Sequence, residues 1–293
     1  MYKIIAIDLD GTLLNSMGDV SEENKKAIKN AKNKNKEIVL ASGRVSDSVL
    51  SFAKDIGADK YFICGNGSMI YDIQKEKIIY ENFIDKNKIL KLIKMCDENS
   101  IYYSIYSEEA VITKSINYHV AVYNYENTKK IDERKTRINI VEDVYKYVEN
   151  SENEKYLKMT ICDNSKIIFS SILKKFKNIP NIDILEISHM SKKRIKSGTE
   201  EVELNYFYTE ITNHNVDKWY AIEKLMNIEG IERDEIMTIG DNMNDLLMIQ
   251  KAGMGVAMGN SNPIVKDNAN FITDDNNKSG VAVAINKILN EDK

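Results

Sequence analysis

The chain has 293 residues, 43% hydrophobic and 29% charged, with 41 Lys and Arg against 45 Asp and Glu for a formal net charge of -4. That length exceeds what one core usually supports and suits two domains, the apolar content leaves no long disordered tract, and the slight acidity excludes a global basic field for nucleic acid. Cys64, Cys96 and Cys162 are far apart, with no CxxC and no adjacent histidine, so they read as reduced thiols and not as a zinc site or disulfide framework. No segment approaches the ~18 apolar residues of a membrane span, and no signal-peptide pattern precedes the first strand-like run. A cytoplasmic protein with no membrane or nucleic-acid partner is expected, as a monomer or small homo-oligomer.

Ile4 to Ile7 is a continuous apolar run, the pattern of a parallel strand covered on both faces. Ser21-Glu22-Glu23 supplies an N-cap and an acidic first turn for a helix whose stripe is Ala27, Ile28 and Ala31. A strand is predicted at 37–41, then a helix capped by Ser46, and a third strand at 61–64. This βαβαβ alternation argues for an α/β fold with a parallel sheet and right-handed crossovers. The pattern then changes. Segments 68–71 and 77–80 look like a hairpin, helices are predicted near 85–97, 141–149 and 164–176, and strands at 101–106, 110–113, 156–162, 182–187 and 201–210. That is an α+β domain inserted into the first. From Asp217 the βα alternation returns, with a helix at 218–227, strands at 235–239 and 254–257, and a closing helix near 279–290. The expected division is a discontinuous core, 1–82 with 214–293, around an insertion at 83–213.

In an open parallel sheet, ligands sit beyond the carboxyl ends of the strands. Four sequence-distant places put polar groups there: Asp8 and Asp10 after the first strand, Ser42-Gly43-Arg44 after the second, Lys218 at the helix after the insertion, and Gly240-Asp241-Asn242-Met243-Asn244-Asp245 after the strand ending at Ile239. Taken singly each has a structural reading as a cap, a turn or a decorating lysine; their joint placement does not. Carboxylates converging on one spot need a divalent cation, and an all-oxygen shell suits Mg2+. Ser42 and Lys218 add a hydroxyl and an ammonium, the complement of phosphoryl oxygens. Nucleophile, metal and clamps together specify phosphoryl transfer through an aspartyl-phosphate.

These residues resemble the four motifs of the haloacid dehalogenase superfamily of phosphatases, and the long insertion between the second and third motifs resembles its Cof-type branch with a large α+β cap. The resemblance implies a Rossmann-like core, with Asp8 as nucleophile and Asp10 as general acid/base. It implies that Ser42, Gly43, Lys218 and Asn244 hold the phosphoryl group, and that Mg2+ rests on Asp8, the Asp10 backbone carbonyl and Asp241. Asp245 would orient Lys218 or support the metal. Asn66 and Gly67, in a tight turn, would support the site near the substrate. The name-giving dehalogenation is excluded, because such enzymes lack the second aspartate that Asp10 supplies. The implied substrate is a small phosphorylated metabolite, a sugar phosphate or a relative. A phosphomutase with the same nucleophile, or a phosphate-ligand sensor without turnover, are the alternatives.

Two features depart from the family pattern. Trp219 follows Lys218 where glycine is usual, so the ring either displaces the lysine or packs under the linker; and the stretch 189–205 is longer than usual. Other signals read as structural. The glycines of Gly253-Met254-Gly255-Val256-Ala257-Met258-Gly259 flank a short strand and do not open a helix, unlike a dinucleotide-binding turn. His119, His189 and His214 are dispersed and are not expected to be catalytic. The run 192–196 reads as a solvated loop or strand edge, and the tyrosines of the insertion mostly as core and surface residues, with one or two available to line a pocket for a polar substrate.

Overall fold

The computed structural model describes residues 1–58, 60–130, 132, 135–185, 190–197 and 200–291. The chain divides into two compact units, one of Met1–Arg44, Val49–Glu81 and Val216–Lys293, the other of Val45–Ser48 and Asn82–Asn215.

The first unit begins with β1 (Ile4–Ile7), α1 (Glu22–Asn33), β2 (Glu37–Ala41), α2 (Ser46–Ile56, of which Ser46–Ser48 fall to the second unit), β3 (Tyr61–Cys64), β4 (Met69–Asp72) and β5 (Lys77–Glu81). The second holds α3 (Lys86–Glu98), β6 (Tyr102–Ser107), β7 (Val111–Thr113), α4 (Tyr118–Asn127), β8 (Ile138–Ile140), α5 (Val144–Asn150), β9 (Tyr156–Asp163), α6 (Lys166–Phe176), β10 (Ile182–Ile184), β11 (Ser191–Ser197) and β12 (Glu200–Asn213). The chain then re-enters the first unit with α7 (Lys218–Glu229), β13 (Ile236–Gly240), α8 (Leu246–Lys251), β14 (Met254–Ala257), α9 (Pro263–Asp267), β15 (Phe271–Ile272) and α10 (Gly280–Glu291).

The sheet of the first unit runs β15-β14-β13-β1-β2-β3-β4-β5. The pairings from β15 through to β3 are parallel, and β4 and β5 add an antiparallel edge. Ile4 to Ile7 are all buried, as a strand covered on both faces must be. Alternate residues Ile4 and Ala6, with Val39, Ala41 and Ile63, pack on Ala221, Ile222 and Leu225 of α7, while α1 packs against α10. Ser21 caps α1 as its position predicts, accepting from the Asn24 backbone N–H at 3.2 Å.

Register explains why distant motifs meet. Ile7 lies opposite both Leu40 of β2 and Ile239 of β13, so Asp8, Ser42 and Asp241 leave three adjacent parallel strands within two residues of the same level. The peptide N–H of Asp8 still donates to the Ile239 carbonyl at 3.0 Å, which carries the ladder one step past the strand and holds the carboxylate at the edge.

The second unit is a sheet in the order β10-β12-β9-β6-β7-β8, with β11 paired to β12. Its eight-residue central strand β9 is buried throughout. One face is an apolar core in which Tyr103, Ile105, Met159, Ile161 and Ile211 meet Leu92, Val148 and Phe169 of the helices. The alternate positions Ser104, Lys158, Thr160 and Cys162 point the other way and are also buried.

The sequence reading missed α4 and β8, and it left the run 192–196 as loop or strand edge. In the structure that run lies in β11, with Arg194 opposite Glu203 in the antiparallel register, so opposite charges face across the ribbon there. The strand expected at 182–187 is present as β10 over Ile182–Ile184; its last residues, and His189, lie outside the described residues. Among the described residues, no helix is long and apolar enough to cross a membrane. The three cysteines are buried and form no disulfide.

Candidate active site

The site begins with a lysine that cannot reach water. Lys218 opens α7, whose N-cap Asp217 accepts from the Trp219 N–H at 2.7 Å. Its side chain is fully buried. The ammonium donates to Asp8 Oδ1 at 2.5 Å and to Asp245 Oδ1 at 2.6 Å, so the ends of β1 and β13 are joined through one charge. Burial opposes the ammonium, but Asp245 and Asp8 outweigh it and hold its pKa above the ordinary lysine value. A buried cation is stable only when paired in this way.

Trp219 does not displace that lysine. Its ring is buried in the core with Ala221 and Ile222, and its Nε1 donates to Glu223 Oε1 at 2.7 Å, one helical turn on. The indole uses the i,i+4 geometry of α7 to satisfy its one polar atom.

Asp245 is fully buried and does two things at once. While one oxygen takes the lysine, Oδ2 accepts from the backbone N–H groups of Asp241 and Asn242 at 2.9 and 3.0 Å. It therefore shapes the loop after β13 and orients Lys218. Asp241 is also held by the Thr12 hydroxyl, which donates to its Oδ1 at 3.1 Å.

Asp8, Asp241 and Asp245 each offer an oxygen within 4.8 Å of the others. Burial, then Asp245, push the Asp8 pKa well up; Lys218 opposes them, and Asp241 and Asp10 add to the rise. Burial and Asp245 likewise lift Asp241 to about 7, against the pull of Thr12 and Lys218. Four carboxylates, counting Asp10, face Lys218 and Arg44, so full ionisation would leave two negative charges uncompensated, the repulsion that the raised Asp8 and Asp241 values express. An all-oxygen donor set with that deficit fits a small hard divalent cation.

Asp10 stands apart from this knot. Its side chain is largely exposed, and Arg44 grips both oxygens, Nε to Oδ2 at 2.8 Å and Nη2 to Oδ1 at 2.5 Å. This is the bidentate fork that guanidinium geometry favours. Ser42 is fully buried, and its hydroxyl accepts from the Arg44 N–H at 3.2 Å. Gly43 lies between them. Asn244 donates through Nδ2 to Asn66 Oδ1 at 3.0 Å, and Gly67 closes the turn that carries Asn66. The structure thus brings every residue expected at the site into the first unit, at the carboxyl edge of its sheet.

A family model for haloacid dehalogenase-like hydrolases matches residues 5–285. The chain belongs to that family. Among relatives of this haloacid dehalogenase-like hydrolase, "Phosphatase YwpJ" of Bacillus subtilis (strain 168) is 26% identical, the alignment covering 98% of this chain and all of the relative. A second from the same organism, "5-amino-6-(5-phospho-D-ribitylamino)uracil phosphatase YcsE", is 29% identical over 97% of this chain and 94% of its own. A solved haloacid dehalogenase-like hydrolase from Bacteroides thetaiotaomicron superposes with a TM-score of 0.76 at 25% identity, covering 98% of this chain and 100% of that one. The superfamily resemblance drawn from the four motifs is therefore borne out, as is the α/β fold.

Three site residues escaped the sequence reading as actors. Arg44 and Thr12 were inside quoted motifs without a role. Asn260 was not singled out; its Nδ2 donates to the Gly11 carbonyl at 2.8 Å and so holds the loop after β1. An Asn in a Gly-rich, Pro-terminated loop after a parallel strand was the one available signal.

Proposed function

We propose that this hydrolase is a Mg2+-dependent phosphatase of small phosphomonoesters, working through an aspartyl-phosphate on Asp8. The observation that carries the reading is the buried Lys218 ammonium shared between Asp8 and Asp245. The ammonium opposes the rise that burial and Asp245 impose on the Asp8 carboxyl, and in a dry site it is a stronger clamp for phosphoryl oxygens than it would be in water.

Asp8 and Asp241 would hold the ion, with the Asp10 backbone carbonyl as a further oxygen, and Asp245, whose oxygens are taken by Lys218 and the Asp241 and Asn242 N–H groups, would support it from behind. Bound there, Mg2+ supplies Lewis-acid neutralisation of phosphoryl oxygens and offsets the carboxylate repulsion. In the first half-reaction an Asp8 oxygen bonds to phosphorus as the ester P–O bond breaks, and Asp10 gives the leaving oxygen its proton. In the second, Asp10 as carboxylate takes a proton from water, whose oxygen attacks phosphorus and breaks the bond to Asp8. Phosphate leaves and Asp8 is restored. Ser42, the backbone at Gly43, Lys218 and Asn244 hold the phosphoryl oxygens throughout. Arg44 must release Asp10 before the acid step, because the fork occupies both its oxygens.

The insertion 83–213 serves as the substrate-selecting cap in this reading, with the physiological substrate a phosphorylated metabolite. The named activity of the ribitylaminouracil phosphatase supports a small polar substrate. The test is phosphate release from an aryl phosphate and a panel of sugar and nucleotide-precursor phosphates, in Mg2+ and in chelator. Metal-dependent turnover is expected, and none on any compound from folded protein in Mg2+ would favour a ligand sensor instead.

A further inference from the structure

The turn Gly65–Gly67, directly after β3, is tied within three residues to segments far apart in the chain. The Gly65 N–H donates to the Arg44 carbonyl at 3.0 Å, and the Asn66 N–H to the Ser42 carbonyl at 2.9 Å. Asn66 Oδ1 accepts from Asn244 Nδ2, 178 residues away, at 3.0 Å. A Cβ on Gly43 would stand 2.7 Å from that same Asn66 oxygen. Gly67, at φ +104°, lets the turn press on the start of α7: a Cβ there would overlap the Asp217 carbonyl and lie 3.1 Å from the Lys218 backbone nitrogen.

Asn66 itself adopts φ 57° and ψ 29°, the left-handed region that only Gly, Asn and Asp visit readily. Only one of these three brings an uncharged carbonyl to the position. We propose that Asn66 is a positioning residue for phosphate recognition: its side-chain oxygen sets the amide orientation of Asn244 while its backbone ties the Ser42 loop to the same turn. An Asn amide has two N–H donors on one nitrogen. With one of them held by Asn66, Asn244 keeps its nitrogen facing the site and its second N–H available for an anionic oxygen. Turned over, the amide would present a carbonyl to phosphate. Asn66 acts through its neighbour and needs no contact with substrate.

This inference rests on the phosphatase reading only in taking Asn244 and Ser42 as phosphate contacts. The test compares wild type, Asn66→Gly, Asn244→Ala and the double variant, all in Mg2+. Two quantities are read for each: kcat/KM on an aryl phosphate, and Kd for inorganic phosphate by calorimetry. Glycine preserves the left-handed backbone and both main-chain bonds, so only the side chain is lost. Asn66→Gly is expected to weaken phosphate binding and kcat/KM by about fivefold to tenfold, the scale of one hydrogen bond. The double variant is expected to be no worse than Asn244→Ala alone, since the two residues act as one unit. Effects that multiply, or an Asn66→Gly protein equal to wild type, would overturn the proposal and leave the phosphatase reading standing. Phosphate binding with the same non-additivity but no turnover would sink the phosphatase reading and keep Asn66 in its role. Failure of wild type to bind phosphate at all would overturn the positioning role as well.

Discussion

Replacing Asp241 by Asn removes one negative charge from the carboxylate cluster while keeping its shape and an oxygen for the Thr12 hydroxyl. In the folded chain Asp241 has its pKa lifted to about 7 by burial and by Asp245, against an ordinary carboxylate value of about 3.9. A folded-state pKa above the unfolded one means that the folded protein binds the proton more tightly. The associated stability is fully present below pH ~4 and is lost as pH rises through about 7. At about 1.4 kcal/mol per pH unit, three units set a ceiling near 4 kcal/mol, and partial solvation of Asp241 brings the expected value to roughly 2 kcal/mol. In chelator at pH 8, Asp241→Asn should therefore be more stable than wild type by about that amount, and at pH 4 the two should coincide. In Mg2+ the order should reverse, because wild type gains the binding energy of the ion and the variant loses most of it. The assay is urea denaturation followed by tryptophan fluorescence. Trp219 is the only tryptophan in the chain and is buried in the core of the unit that carries the site, so its signal reports that unit alone. An Asn variant less stable than wild type at pH 8 in chelator, or one that gains as much from Mg2+, would refute the electrostatic reasoning.

Lys218→Met should abolish phosphate release by at least about a hundredfold, the scale of losing a preorganised charge. It should also destabilise the metal-free protein by about 3 kcal/mol at pH 8, with a smaller cost at pH 5 where the stranded carboxylates can hold protons; equal cost at both pH values would argue against the shared-ammonium account. In the second unit His119 is buried between the Ser104 hydroxyl at 2.7 Å and the Cys162 thiol at 3.1 Å. Burial, and then Lys158, pull its pKa down to about 3. The folded state resists protonation, so stability is present above pH ~6.5 and drains as pH falls from there toward about 3. His119→Gln should flatten that acid dependence, measured by circular dichroism of urea transitions at pH 7 and pH 5, and an unchanged slope would show that other groups carry it.

Much of the site was legible because parallel strands announce themselves. An apolar run that stops at Asp8, another that stops at Ser42 and a third at Gly240 need only a common register to meet, and the Ile7 pairing with Leu40 and Ile239 provides it. Lys218 was readable from its place at the head of a helix. Arg44 was not, because an ion pair with Asp10 depends on where two long or exposed side chains point, which no period encodes. Asn260 was hidden for the same reason.

In the second unit α4 escaped because Tyr118-His119-Val120-Ala121-Val122-Tyr123 mixes β-branched and aromatic residues without a clear stripe. Its N-cap Asn117 makes no side-chain cap bond, and Tyr118 begins the helix at φ 50°. What stabilises α4 is tertiary, with Val120 and His119 buried, and a local reading cannot see that. The basic run of β11 pairs with β12, where Glu203 lies opposite Arg194, a partner that appears nine residues later in the sequence.

The most direct test of the account is phosphate release by wild type and Asp8→Asn, each in Mg2+ and in chelator, on the best substrate of the panel. The substitution is nearly isosteric and leaves an oxygen for Lys218 while removing the nucleophile. Turnover by wild type that requires Mg2+ and disappears in Asp8→Asn is the predicted result. Turnover by Asp8→Asn at a rate comparable to wild type would contradict the assignment of the nucleophile, and with it the mechanism proposed for this site.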